Sequence, residues 1–146
     1  MIKDEEFQRI TVFMKQRYGI DLAQKKVIVN GRLENYIRRG GWHSFDEFMN
    51  AVEQDKSGNQ EKMLVNFLTT NHTYFLREET HFQYLWDVVL PDIAAKHSRD
   101  KVLSIWSAGC SSGEEPYTIS MYLKEYFCAQ ASQWDTRIMA TDISHK

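Results

Sequence analysis

Residues Ile105–Tyr117 read Ile-Trp-Ser-Ala-Gly-Cys-Ser-Ser-Gly-Glu-Glu-Pro-Tyr, and this stretch decides how the second half of the chain folds. The apolar run Val102–Trp106 that leads into it is typical of a buried β-strand. After it, apolar and aromatic residues recur at helical spacing as far as Phe127. Gly109 and Gly113 have no Cβ, so the loop between strand and helix can turn sharply and admit a ligand close to its backbone. A strand, a small-residue loop and a helix in this order predict a nucleotide-like cofactor site at the carboxyl end of a parallel strand.

Acidic residues around this loop restrict the kind of ligand. Glu114 and Glu115 open the predicted helix, where negative charge suits the helix dipole but repels a phosphate. We therefore expect a nucleoside with hydroxyl groups to donate and without a pyrophosphate. A second strand is predicted at Arg137–Asp142, and an acid at that position, Asp142, is where such units bind ribose hydroxyls. A dinucleotide-binding oxidoreductase is a competing interpretation of the glycine loop and Asp142, and the two glutamates weigh against it.

The composition excludes several classes of protein. The chain has 146 residues, 42% hydrophobic and 26% charged, which is typical of one or two globular domains. A net charge of −2 gives no indication of a nucleic-acid partner. No run approaches the roughly 18 apolar residues of a membrane span and no signal-peptide pattern is present, so we predict a cytoplasmic protein without direct membrane insertion. Cys110 and Cys128 lack metal or redox spacing and the five histidines are scattered, so no metal site is predicted.

The first 70 residues are predicted to form a small all-α domain. Asp4 is the expected N-cap of the first helix and Gly19 its end. Ser44 and Glu47 have the spacing of a capping box, in which Ser44 bonds forward and Glu47 bonds back to the N-cap amide. The predicted helices are Asp4–Tyr18, Leu22–Arg39, one that begins at the Ser44 capping box, and Gln60–Leu68.

The second predicted helix carries a basic stripe, which consists of Lys25, Arg32 and Arg39. These residues are spaced seven apart, so in a continuous helix they share one face. One interpretation is a solvated helix side, since charged side chains are mostly exposed. The other is a surface on which an acidic protein helix docks.

Three residues between the two halves are candidates for ligand contacts. Asn71 and Thr73 lie where the helical pattern stops, and their simplest role is to cap a helix. Arg77 directly follows three apolar residues, and its planar guanidinium could hold a carboxylate through two hydrogen bonds.

The chain is predicted to consist of a helical domain (1–70), a linker and connecting helix ended by Pro91 (71–100), and the start of a cofactor domain (101–146). A single β-α-β unit leaves strand edges and an apolar face uncovered. We therefore expect the chain to be a fragment of a longer protein. Alone, the fragment is expected to self-associate through those surfaces.

Taken together, these motifs closely resemble the bacterial chemotaxis-receptor methyltransferases, the CheR family. The resemblance is carried by Thr70–Arg77, by Ile105–Tyr117 and by Ala140–Ile143, and it extends along the whole chain in order, including the Arg32-Leu33 pair. Leu76 stands where the family usually has a second Phe, and it keeps the apolar character of the position. The family's sheet continues well beyond the last residue of this chain.

The resemblance implies a small all-α helical domain followed by the first β-α-β unit of a Rossmann-like methyltransferase domain that uses S-adenosylmethionine. It implies that the longer enzyme methylates glutamate side chains on the cytoplasmic helices of chemoreceptors, releasing S-adenosylhomocysteine, and that the fragment alone is inactive. No catalytic residue is predicted, because a glutamate nucleophile is already ionised near pH 7. A non-catalytic signalling module of the same fold, which binds the cofactor or a receptor, is the alternative interpretation.

The resemblance also implies roles for individual residues. In the family, residues that match Arg77 and Glu115 contact the amino-acid end of the cofactor. The residue that matches Arg77 contacts the carboxylate of the cofactor. The residue that matches Asp142 contacts the ribose hydroxyls. The full set of predicted cofactor-binding residues is Asn71, Thr73, Arg77, Gly109, Glu115 and Asp142.

Overall fold

The structure is a computed structural model that describes residues 1–144, and these residues form two compact units. Unit 1 is Met1–Thr70 and unit 2 is Asn71–Ser144. The segment 71–100, predicted as a linker and connecting helix, lies within unit 2, because Phe82 and Leu90 are buried in the core of that unit. Within residues 1–144, no helix has the length and apolar character needed to cross a membrane.

Unit 1 is helical, as predicted, and its apolar faces meet in one core. Phe48 is fully buried at the centre of an aromatic cluster, with its ring centroid 5.0 Å from Trp42 and 5.7 Å from Tyr36. The helices are α1 (Asp4–Tyr18), α2 (Lys26–Arg39), α3 (Phe45–Gln54) and α4 (Asn59–Leu68). Fully buried core residues include Ile10, Met14, Val29, Leu33, Phe48, Met49 and Leu64.

Helix α1 has the predicted limits, but the residue at its N-cap differs from the prediction. Lys3, and not Asp4, is the residue that precedes the helix, and the Glu6 carboxylate accepts the Lys3 amide N–H at 2.8 Å. Glu6 is buried, and its other oxygen accepts the amide N–H of Phe45 at 3.2 Å. A buried carboxylate needs such donors. Glu6 therefore ties the start of α1 to the start of α3, a long-range role that N-cap preferences do not reveal.

Helix α2 begins at Lys26, whereas the sequence pattern predicted a start at Leu22. The Asp21 carboxylate accepts the amide N–H of Ala23 at 3.0 Å, which stabilises a turn in place of the first helical residues. Leu22 is nevertheless buried, so its apolar character reflects the core and not the helix. Consequently Lys25 lies before the helix, and the basic stripe is not a single helical face.

The start of α3 is stabilised by short polar contacts. The Ser44 hydroxyl accepts the Glu47 amide N–H at 3.0 Å, as the capping box predicted. The Glu47 carboxylate accepts the N–H of His43 at 2.6 Å, and not that of Ser44 as predicted. A second set of polar contacts joins α1 to α4. The Glu61 carboxylate of α4 accepts bonds from Arg17 and Tyr18 of α1 at 2.8 and 2.5 Å, and these donors hold the pKa of Glu61 below its usual value.

Unit 2 contains the predicted β-α-β unit. Strand β1 pairs in parallel with strand β2, with Ile105 opposite Ile138 and Ala108 opposite Thr141. In chain order the elements are α5 (Glu79–Tyr84), a π-helical turn (Leu85–Val89), α6 (Leu90–Lys96), β1 (Ile105–Ala108), α7 (Glu114–Phe127), a 3₁₀ turn (Cys128–Gln133) and β2 (Ile138–Thr141). The buried core of this unit contains Phe82, Leu90, Leu103, Ile119, Leu123, Phe127 and Trp134.

Strand β1 lies further along the chain than predicted, and Ser107 is the one buried residue of its four. Val102 makes only an isolated bridge to Asp135. Trp106 is 63% exposed, and the inward position next to it is Ser107, at 2% exposure. The apolar run Val102–Trp106 predicted a strand that starts too early, because the buried residue of the actual strand, Ser107, is polar. Trp106 and Met139 face each other across the two strands and are both exposed, which favours the expected self-association; that expectation stays a prediction.

Pro91 was predicted to end the connecting helix, but the helix continues through it to Lys96. In the π-helical turn before it, the Leu90 amide bonds to the carbonyl of Leu85, five residues back. Pro91 then occupies the first turn of α6, where a missing N–H is tolerated. The wider turn therefore allows the chain to pass a proline that a regular helix would not accommodate.

Candidate functional site

The glycine loop between β1 and α7 is fixed to the end of β2. The amide N–H groups of Gly109 and Cys110 donate to the Thr141 carbonyl at 2.7 and 3.0 Å. Gly109 has a φ of +95°, and a Cβ built there would meet no atom within 4 Å. The glycine is therefore needed for its backbone conformation, and its outer side is open to a ligand.

Asp142 directly follows β2, and both of its carboxylate oxygens are oriented by backbone amides. Oδ2 accepts the Ser111 N–H at 2.6 Å and Oδ1 accepts the Ser144 N–H at 2.7 Å. Each oxygen retains a further lone pair, so the carboxylate can still accept a ligand hydroxyl. The Ser111 hydroxyl donates to the Asn71 carbonyl at 2.8 Å. Ser111 thus connects two of the predicted site residues, Asn71 and Asp142, through the loop.

Arg77 and Glu115 line one small cleft of about 160 Å³ in unit 2. The Arg77 Nη1 donates to the His72 carbonyl at 2.6 Å, and the Glu115 Oε1 accepts the Ser107 hydroxyl at 2.7 Å. The Arg77 Nε also lies 3.7 Å from the Glu78 Oε1, so both charged groups have contacts that orient them. The remaining residues around the cleft are Glu78, His81, Phe82, Leu85 and Ile119.

A guanidinium and a carboxylate facing one cleft suit a zwitterionic ligand. Arg77 can hold a carboxylate through two hydrogen bonds, and Glu115 can accept from an ammonium group. The structure therefore brings together the two residues predicted for the amino-acid end of a cofactor. Thr73 is half-buried between Asn71 and Arg77 in the chain, and its predicted role as a cofactor contact stays a prediction.

Three hydroxyl residues at this site were not predicted from the sequence: Ser107, Ser111 and Thr118. Ser107 is buried on β1 and bonds to Glu115. Ser111 has a φ of +50°, a backbone conformation that no sequence pattern here indicated. A signal was available only for Thr118, since a threonine on the apolar side of a helix is expected to bond to the carbonyl four residues back.

The members of the basic stripe differ in their surroundings. Lys25 and Arg39 are exposed, whereas Arg32 is half-buried. The Arg32 Nη1 donates to the carbonyls of Phe67 and Thr69, at 3.3 and 3.0 Å. A cation is favourable at the carboxyl end of a helix such as α4. Arg32 therefore stabilises unit 1 internally, which leaves Lys25 and Arg39 as the exposed cations of the stripe.

Both units match known protein families. Residues 71–146 match the family described as CheR methyltransferase, SAM binding domain, and residues 5–69 match CheR methyltransferase, all-alpha domain. The chain is similar to a chemotaxis protein methyltransferase of Borreliella burgdorferi, 40% identical over 98% of this chain and 52% of the relative. Chemotaxis protein methyltransferase 2 of Vibrio cholerae is 35% identical over 98% of this chain and 49% of the relative. The Escherichia coli K12 chemotaxis protein methyltransferase is 35% identical over 97% of this chain and 47% of the relative. The chain thus spans about half the length of these relatives.

Proposed function

The chain belongs to the CheR methyltransferase family, and we propose that the whole protein transfers methyl groups from S-adenosylmethionine to glutamate side chains of chemoreceptors in the cytoplasm. The products are glutamate methyl esters and S-adenosylhomocysteine. The observation that carries the proposal is the cleft lined by Arg77 and Glu115, and also by Glu78, because its guanidinium and its carboxylates complement the carboxylate and the ammonium group of this cofactor.

The other predicted residues extend the same site. Asp142 would accept the ribose hydroxyls, since its carboxylate is already oriented by two amides. Gly109 would let the ligand approach the loop backbone, and Asn71 and Thr73 would contact it from the preceding segment. This arrangement supports a sulfonium nucleoside more than a dinucleotide, because Glu114 and Glu115 would repel a pyrophosphate at the same helix start.

The proposed reaction requires little acid–base catalysis by residues of this chain. Bound S-adenosylmethionine supplies an electrophilic methyl group. The substrate glutamate is ionised near neutral pH, so no general base has to remove a proton from it. The contribution of Arg77, Glu115 and Asp142 is to fix the orientation of the cofactor. Such positioning can supply much of the rate enhancement of a displacement between two bound groups.

Titration calorimetry of the whole protein with S-adenosylmethionine and with NAD tests the cofactor assignment. We expect binding of S-adenosylmethionine and no binding of NAD. A methyl-transfer assay with chemoreceptor cytoplasmic fragments then separates an enzyme from a non-catalytic module. Binding of NAD alone would contradict the proposal, and so would cofactor binding without any methyl transfer to a receptor glutamate.

We further propose that receptor helices dock on unit 1 through the exposed cations Lys25 and Arg39. Helices rich in glutamate present an acidic surface, and complementary charges mainly accelerate encounter and fix register. Among residues 1–144, neither Lys25 nor Arg39 forms a salt bridge, and Asp21, which lies near Lys25, is paired with Lys15 at 2.9 Å. The two cations are therefore available to a partner of opposite charge.

Reversing both charges, Lys25→Glu with Arg39→Glu, is expected to slow receptor methylation by roughly tenfold or more at low ionic strength and by less at high salt. The affinity for the cofactor is expected to stay unchanged, because both positions lie in unit 1 and the cofactor residues lie in unit 2. The measurement is the methylation rate of a receptor fragment as a function of salt. Lys56→Glu with Lys62→Glu is the matched control, since it changes the charge equally at two other exposed lysines of unit 1. An equal loss in the control, or no loss at low salt, would show that the stripe is only a solvated surface.

A further inference from the structure

We infer that Thr118 is a positioning residue for cofactor binding, because its hydroxyl holds the segment that carries Arg77 against helix α7. The inference rests on the proposed function, since it concerns the residue expected to bind the cofactor carboxylate. Thr118 has 0% exposure and lies in the second turn of α7, on the same helix as Glu115. It has no surface of its own to offer a ligand. Any effect of Thr118 on binding must therefore act through the groups that its side chain contacts.

The Thr118 hydroxyl joins two elements of unit 2. Its oxygen, Oγ1, donates to the Glu114 carbonyl at 2.6 Å, within the start of α7. The same oxygen accepts the Leu76 amide N–H at 3.3 Å, from the segment before α5. A hydroxyl has one hydrogen, and since that hydrogen points to Glu114, a lone pair is left for the Leu76 amide. Removing the hydroxyl would leave the Leu76 amide without this acceptor.

The residues on both sides of Arg77 have a backbone conformation that residues other than glycine rarely adopt. Leu76 and Glu78 both have a φ of +61°. Left-handed backbone at residues other than glycine persists only where the surrounding structure holds it. The Leu76 side chain is 54% exposed, so its burial contributes little to holding this conformation. The hydrogen bond from the Leu76 amide to Thr118 holds the left-handed backbone at Leu76, the residue next to Arg77.

This constraint sets the relation between Arg77 and Glu115, two of the charged residues that line the cleft. Arg77 comes from the segment that Thr118 holds, and Glu115 comes from the helix that carries Thr118. Both charges line the same cleft. Thr118 therefore matters for a ligand that bridges both charges with an amino-acid group. A ligand that has the same nucleoside but lacks the amino-acid group does not depend on it.

The test compares two ligands in Thr118→Val and Thr118→Ser variants of the whole protein. Titration calorimetry is performed with S-adenosylhomocysteine and with 5′-methylthioadenosine, which has the nucleoside and sulfur but no amino-acid group. Thr118→Val is expected to weaken the binding of S-adenosylhomocysteine by about 5- to 50-fold, because it removes a buried hydrogen bond that orients a charged contact. Its affinity for 5′-methylthioadenosine is expected to be unchanged. Thr118→Ser keeps the hydroxyl and is expected to restore most of the affinity.

A second measurement keeps the inference testable if the valine variant folds poorly. Thr118→Ala removes the same hydroxyl without placing a methyl group against the Glu114 carbonyl. In an Arg77→Ala background it is expected to have no further effect on S-adenosylhomocysteine, because the contact through which it acts is already gone. Equal losses for both ligands, or additive losses in the double variant, would overturn the inference. A parent protein that does not bind S-adenosylhomocysteine would instead contradict the proposed function itself.

Discussion

Replacing Asp142 with alanine in the whole protein is expected to weaken S-adenosylmethionine binding by about 10- to 150-fold. The carboxylate is oriented by the Ser111 and Ser144 amides, and the loss of a hydrogen bond to a charged group costs about 1.5–3 kcal/mol. Arg77→Ala should have an effect of the same size at the other end of the ligand. Titration calorimetry measures both.

The two variants are expected to differ in their ligand selectivity. Asp142→Ala should lower the affinity for every ligand that contains ribose, whereas Arg77→Ala should lower the affinity only for ligands with an amino-acid carboxylate. Glu125→Ala is a suitable control, because it removes an exposed acid of α7 near the far end of that helix. If both site variants bind S-adenosylmethionine as tightly as the parent does, the assignment of the cofactor site is wrong.

Phe48→Ala is expected to lower the free energy of unfolding of unit 1 by about 3–5 kcal/mol. Phe48 has 0% exposure, and its ring packs against Trp42 and Tyr36. Domains of this size are stable by about 5–15 kcal/mol, so the substitution removes a large part of the stability of the unit. Urea unfolding followed by circular dichroism measures the change.

Val12→Ala is the control for this prediction, because Val12 is an apolar residue of α1 that is 44% exposed. Substitutions at such surface positions usually change stability by less than about 0.5 kcal/mol. A Phe48 variant that unfolds at the same urea concentration as the parent would show that the aromatic cluster does not stabilise unit 1.

The elements with strong local signals were predicted correctly. Helix α1 has the predicted limits, and its end at Gly19 has the left-handed backbone that favours glycine there. Helix α7 begins at Glu114 and follows the apolar spacing to Phe127. The order strand, loop, helix and strand was also confirmed, because its glycines and its alternation of patterns are local properties of the chain.

The parts that the sequence did not predict depend on contacts between distant residues. The start of α2 is set by Asp21, which competes for backbone amides, while Leu22 is buried for reasons of packing. Arg32 was grouped with surface cations because its spacing matched theirs, but its partners belong to the end of α4. Ser111 reaches Asp142 only once the loop has folded against β2. Spacing along one segment carries no information about such partners.

The exposed tryptophan of β1 gives the protein a built-in optical reporter. The Trp106 indole Nε1 donates to the Thr141 hydroxyl at 2.9 Å, and Thr141 is the residue immediately before Asp142. Because indole emission shifts with the polarity of its surroundings, a ligand that settles beside Asp142 would change the fluorescence of this side chain. The other three tryptophans, Trp42, Trp86 and Trp134, are half-buried or buried and would contribute a steady background. Occupancy of the loop can therefore be followed in real time with no attached dye.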